Sequence, residues 1–379
     1  MINSARRAWL GIAGWVVVLV VLLLVPGNVT RGTQEILLNL ILWVGIAQAW
    51  NLIGGIGGQL SLGQSAFVGA GGYTLAMCVL KAGTPWPAAL LAGGVLSGTL
   101  AWLLSHLLLR LSGVYFTIGS SAVALIAQAW MVTWTWTGES RGLAIPLDAV
   151  PDRATAFEVI AVLTVVACAV TSVVLRSTFG LRLMAVRDDE SAAAALGVPT
   201  RSVKRRAFVL SAFLTGLLGG AIALNQVAIE PNSMFDLNWV VTALVMVVVG
   251  GMGTVAGPII GAFVIYYLVD RALADQPVLQ ALLSGVLVIA VIVVAPNGIV
   301  GVLRAGTDAA ADRVSRRRRS QGHLSVTPCG ATPTEQAGQI PAPLIDQPPS
   351  SGIEPGRPPL TRDRPATKHA APSRESRNT

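Results

Sequence analysis

Glycine, rather than any acid, base or nucleophile, supplies the most patterned chemistry in this chain. Gly54-Gly55-Ile56-Gly57 is followed, after eight residues, by Ala66-Phe67-Val68. The arrangement recurs 196 positions later, as Gly250-Gly251-Met252-Gly253, eight residues, then Ala262-Phe263-Val264. Glycine lets backbone approach a ligand closely and adopt positive φ. A helix broken there exposes N–H groups where it restarts, and these favour a carboxylate. Paired breaks in corresponding places suggest a substrate path between two repeats of a membrane carrier. Glycines that only let helices pack would leave a similar trace. The candidate path residues are Gly54, Gly55, Gly57 and Gly58 at one break, and Gly250, Gly251, Gly253 and Gly257 at the other. Ser61, Gln64, Ser65 and Tyr73 add polar groups beside the first break, where they line a path or bond neighbouring helices.

Catalytic chemistry finds no such support. No G-x-x-x-x-G-K-[ST] occurs, because none of Lys81, Lys204 and Lys368 is followed by Ser or Thr. The chain therefore has no P-loop of its own. No cluster of His, Cys or carboxylate suits acid–base work or a metal, so neither catalytic residues nor a cofactor are expected. Cys78, Cys168 and Cys329 stand too far apart for a metal or disulfide framework. No Asp, Glu or Lys lies deep inside an apolar run, which argues against proton coupling and for energy supplied by another subunit.

The elements that must carry these glycines are membrane helices. Only 12% of residues are charged and the mean hydropathy is +0.65, against about 25% charged in soluble domains. Apolar runs of the ~20 residues that cross a bilayer fall near 9–25, 34–53, 60–80, 86–109, 114–134, 156–175, 207–228, 239–253, 258–270 and 279–303. The expectation is an all-α polytopic membrane protein of about ten spans. Residues 1–33 hold a first, uncleaved span and its loop; 34–304 form the main membrane domain. Arg6-Arg7, Arg110, the 176–206 loop and the 304–319 segment fall on one side. By the positive-inside rule that side, with both termini, is cytoplasmic. The 11 residues of 239–249 are too few to cross at 1.5 Å each, so Gly250–Gly257 is expected to be broken or re-entrant.

Residues 305–379 differ in character. They hold 11 of the chain's 21 prolines and no Trp, Tyr or Phe, which predicts a disordered, basic, Pro-rich cytoplasmic tail. Arg316–Arg319 can meet anionic lipid, or simply form a solvated stop-transfer flank. The +8 net charge follows this topology and does not suggest nucleic acid.

The 176–206 loop carries seven Arg or Lys against three acids. Within it, Arg187-Asp188-Asp189-Glu190-Ser191-Ala192-Ala193-Ala194-Ala195-Leu196-Gly197 predicts a short helix. Asp188 or Asp189 caps it, and Gly197 and Pro199 end it. So slim a helix can enter a groove on another protein, or be an ordinary loop helix.

Ser191-Ala192-Ala193, three residues, then Gly197 resembles the "EAA…G" cytoplasmic loop of ABC-transporter permeases, with Ser191 in place of the leading Glu. The stretch Ala185–Gly220 is similar to the M-type permease subunit of branched-chain amino-acid importers. Asn51–Tyr73, Gly113–Ile118, Thr137–Pro146, Gly250–Ala262 and Ala295–Gly298 agree in the same order, so the resemblance covers about 34–303. Glu139 and the 120–124 "SSAVA" depart from the family's pattern.

The resemblance implies a permease subunit in a bacterial plasma (inner) membrane, importing branched-chain amino acids or related urea and amides. It implies a second homologous permease, two cytoplasmic ATP-binding subunits and an extracytoplasmic solute-binding protein. Arg187, Asp188, Asp189, Glu190, Ala192, Ala193 and Gly197 would then form the ATPase-coupling loop. A standalone channel or facilitator for a small neutral solute is the alternative.

Overall fold

A computed structural model describes residues 14, 15, 17–24, 30–146, 148–271, 285 and 298–301. The expected last span, the 305–379 tail and Arg316–Arg319 lie outside these residues, except for 285 and 298–301. Of the expected first span, 17–23 are helical. Seven helical segments among the described residues are long and apolar enough to cross a membrane. The chain is a multi-pass, all-α membrane protein.

Helix α1 spans Arg31–Asn51 and runs on into a π-helical turn, Leu52–Ile56. Helices α2 (Gln64–Ala82), α3 (Trp86–Leu108) and α4 (Val114–Thr133) follow. After a short β1 (Leu143–Ala144) comes α5 (Arg153–Arg176). The loop helices are α6 (Thr178–Asp188) and α7 (Glu190–Ala195). Then come α8 (Thr200–Gln226), β2 (Ala228–Ile229), α9 (Pro231–Met234), α10 (Asn238–Gly250) and α11 (Ala256–Ala262). A second π-helical stretch covers Phe263–Arg271. β1 and β2 pair antiparallel, Leu143 with Ile229, at the end of the bundle opposite the α6–α7 loop.

Small residues build the core. α2, α3 and α8 meet where a side chain on Gly71 would strike the backbone of Gly216, and one on Gly93 would lie 2.7 Å from the Gly71 carbonyl. Without a hydrophobic drive between helices in lipid, such close approach supplies the packing energy. Most of α8 is buried between its neighbours, whereas α4 is peripheral and exposes Leu125, Ile126 and Trp130.

Helices α10 and α11 form an antiparallel hairpin. Its crossing is set by Gly250 against Gly257 and by Gly261 against the Met246 carbonyl. Helix α10 ends at Gly250, and Gly251 takes a φ of 127°. The expected break at Gly250–Gly257 is thus a turn between two helices. At 13 residues, α10 rises about 20 Å; α9 precedes it and lengthens the crossing.

Helix α1 lies beside α10, and both run the same way. Trp43 packs against Trp239 with ring centroids 5.0 Å apart and the rings tilted by 35°. Each Trp precedes its glycine break by eleven residues (43 to 54, 239 to 250), so the pair preserves the 196-residue offset. Glu139, one departure from the family pattern, adopts a φ of 54°, a conformation better suited to glycine.

Candidate functional site

The two glycine breaks meet. A Cβ on Gly55 would lie 2.7 Å from the Gly253 nitrogen, and one on Gly253 would lie 3.2 Å from the Gly55 carbonyl. Only glycine on both sides permits this approach. Asn51, fully buried, spans the contact. Its Nδ2 donates to the Thr254 carbonyl at 2.9 Å, and its Oδ1 accepts from the Gly253 N–H at 3.0 Å. One turn earlier in α1, Gln48 Nε2 donates to the Val255 carbonyl at 2.6 Å. Two side-chain amides of α1 therefore hold the turn between α10 and α11. Gly298, at φ 70°, backs onto Gly251 from a third segment.

The α6–α7 loop reaches the same place. Arg187 Nη1 donates to the Gly55 carbonyl at 3.1 Å, and its stem lies where a side chain on Gly58 would be. Asp188 holds the guanidinium from the other side, 3.1 Å from Nε and from Nη2. The short helix expected within Arg187–Gly197 is α7, which starts after Asp189; Arg187 and Asp188 belong to the last turn of the preceding α6. Asp189 caps α7 by accepting from the Ser191 and Ala192 N–H groups at 2.9 and 3.0 Å. The Ala192 N–H, then the Ser191 hydroxyl and N–H, hold its carboxyl below the usual carboxylate range. Glu190 pairs with Lys204 at 2.6 Å, tying α7 to α8. Gly197, at φ 83°, ends α7, and the Val198 N–H closes on the Ala193 carbonyl. Ala193 is buried and packs inward. Leu196 beside it is 85% exposed.

Between the breaks and α2, Gly57–Gly63 runs non-helically. Its backbone is satisfied by α4: Ser120 Oγ accepts from the Leu62 N–H at 3.1 Å, and Thr117 Oγ1 donates to the Leu60 carbonyl at 2.8 Å. Irregular backbone at membrane depth needs such partners. Ser120, another departure from the family pattern, thus has a definite structural task.

The polar candidates separate into three groups. Gln64 is fully bonded within the bundle: it donates to Ser211 Oγ at 2.8 Å and accepts from Thr215 Oγ1 at 3.1 Å. It binds helices together. Ser61 and Ser65 carry buried hydroxyls with no partner among the described residues. Ser65 faces a gap among Ile46, Trp50, Val68, Trp239 and Ala243 that is too narrow to hold a water molecule. Tyr73 stands apart, nine residues into α2, with its ring 5.8 Å from that of Phe235. It is not beside the first break.

Two hollows flank this closed centre. At the loop end a cavity of about 360 Å³ is lined by Gly57, Gly58, Gln59, Thr117, Arg187 and Lys204, among others. At the opposite end one of about 290 Å³ is lined by Arg31, Gln34, Glu35, Asn39, Arg153 and Asn225. Sequence reasoning missed Asn51, Gln48, Leu196 and this charged hollow. Amides inside apolar runs were the available signal for the first two.

Residues 32–292 match the family model described as branched-chain amino acid transport system, permease component. The chain is 27% identical over 310 residues to the high-affinity branched-chain amino acid transport system permease protein LivM of Escherichia coli (strain K12), covering 74% of this chain and 72% of that one. The LivM of Salmonella typhimurium matches to the same extent. A probable branched-chain amino acid transport permease protein LivH of Methanocaldococcus jannaschii is 27% identical over 135 residues, 34% of this chain and 42% of that protein. No solved structure matches.

Proposed function

The chain belongs to the permease components of branched-chain amino acid transport systems, and on that premise we propose that it forms half of the membrane path of an ATP-driven importer. It performs no bond chemistry itself. Its partners are a second, homologous permease, two ATP-binding subunits on the cytoplasmic side and a solute-binding protein outside. The α6–α7 loop is the cytoplasmic contact, with Leu196 its exposed apolar point.

The observation that carries this reading is the meeting of both glycine breaks at the loop-bearing end of the bundle, bridged by Asn51. A displacement of the loop reaches both breaks at once through that contact. Alternating access needs such a shared hinge, and broken helices at a repeat interface supply it in other carriers. A hollow at each end of the bundle and a closed gap at Ser65 suit an occluded path. Arg31, Glu35 and Arg153 give the outer hollow charges of both signs, which suit the carboxylate and ammonium of an amino acid.

The test is reconstitution in vesicles with the partner permease, the ATP-binding subunits and the binding protein. Labelled leucine, other amino acids, urea and amides are offered in turn. Uptake that needs both ATP and the binding protein is the expected result. Uptake by this chain alone, without ATP, would instead make it a facilitator.

A further inference from the structure

Arg187 does more than belong to a loop. Gly55 lies in the last turn of the α1 helix, where carbonyls have no partner within the helix. The Gly55 carbonyl takes its hydrogen bond from Arg187 Nη1, 132 residues away. A cation there also suits the negative end of the helix dipole. The guanidinium fork is divided: Nε and Nη2 face Asp188, leaving Nη1 for Gly55. The same Nη1 lies 3.2 Å from where a side chain on Gly253 would begin. One planar group therefore abuts both breaks, and Gly58 and Gly253 are the residues whose lack of a side chain leaves room for Arg187.

We infer that Arg187 is the latch of the cytoplasmic gate: bonded to Gly55 it holds the two breaks closed, and its withdrawal with α6 opens them. The inference rests on the permease reading above and names the residue through which the loop acts. Arg187 is a positioning residue and touches no substrate. When α6 shifts, Nη1 leaves the Gly55 carbonyl while Asp188 retains the rest of the guanidinium. The carbonyl is then free to turn toward the cavity of about 360 Å³ beside it. A lysine in this position offers a point charge rather than a fork and cannot serve Asp188 and Gly55 together in this geometry.

The test uses the full transporter complex in inverted vesicles. Cys78, Cys168 and Cys329 are replaced by serine, and Ser61→Cys reports access to the buried segment beyond the latch. A membrane-impermeant maleimide is applied from the cytoplasmic side. Arg187→Ala should raise the labelling rate about tenfold, the weight of one charge-assisted hydrogen bond in a two-state equilibrium. It should also bring the ratio of binding-protein-stimulated to basal ATPase toward one. Arg187→Lys should fall between. Gly253→Ala would set a methyl 3.2 Å from both Nη1 and the Gly55 carbonyl, so it crowds the contact of the two breaks as well as the guanidinium and should also raise the labelling rate. Labelling and an ATPase ratio both unchanged in Arg187→Ala would overturn the latch. Where the alanine variant fails to assemble, Arg187→Lys supplies the comparison, and wild-type behaviour there overturns it equally. Lack of ATP-dependent uptake by the unmodified complex would remove the permease reading instead, while the labelling arm still judges the gate.

Discussion

Asn51 provides the sharpest test of the central contact. The side chain is fully buried and makes two hydrogen bonds to a segment more than 200 residues away, at 2.9 and 3.0 Å. Asn51→Ala strands the Gly253 N–H and the Thr254 carbonyl. A buried group left unpaired costs about 1–3 kcal/mol. Bonds between helices in a bilayer average nearer 0.6 kcal/mol, and both stranded groups are only half buried. The expected loss is therefore about 1–3 kcal/mol in total. Asn51→Asp keeps the acceptor for Gly253 but loses the donor, and it sets a second oxygen against the Thr254 carbonyl. It should cost at least as much. Asn39→Ala is the control, because Asn39 only donates to the Glu35 carbonyl one turn back in its own helix; it should stay within about 0.5 kcal/mol. Reversible unfolding in mixed micelles measures all three. The reasoning fails if Asn51→Ala matches the Asn39 control, or if Asn51→Asp is as stable as the parent.

Gly261→Ala should destabilise by about 1–3 kcal/mol by forcing α10 from α11 at the Met246 carbonyl. Gly98→Ala, whose new methyl would meet Phe213 at an ordinary 3.5 Å, should be close to neutral in the same assay. Leu196→Ala should leave stability unchanged, since the side chain is 85% exposed, yet weaken retention of the ATP-binding subunits during purification. Asp189 has a carboxyl held below its ordinary range by α7 donors, so its capping is complete above about pH 4 and is lost as pH falls through the lowered value. Amide protection at Ser191 and Ala192, corrected for intrinsic exchange, should drop over that acid window and be absent at all pH values in Asp189→Ala.

The membrane class, the helix order and the two glycine breaks were legible because each is local: apolar length, charge between runs, and spacing of small residues. Tyr73 was misplaced although helical pitch could have placed it, since nine residues past Gln64 is half a turn around and about 13 Å along. The burial of Ala193 was not legible, because a run of four alanines has no marked face. Its burial depends on where α7 leans on the rest of the chain. The Arg187–Gly55 and Asn51–Gly253 contacts join residues 132 and 202 apart. No local periodicity reports such pairings. The one hint was that Gln48 and Asn51 are amides in an apolar helix.

The Trp43–Trp239 pair joins two positions that keep the 196-residue offset of the glycine breaks. The amide bridges do not share that matching. The residue at the same offset from Asn51 is Val247, and that from Gln48 is Leu244. The polar bonds of this contact therefore run in one direction only, from α1 to the turn between α10 and α11. One side of the contact supplies side-chain amides and the other only backbone, so a single substitution in α1 removes a bridge that no change of side chain in the turn could replace.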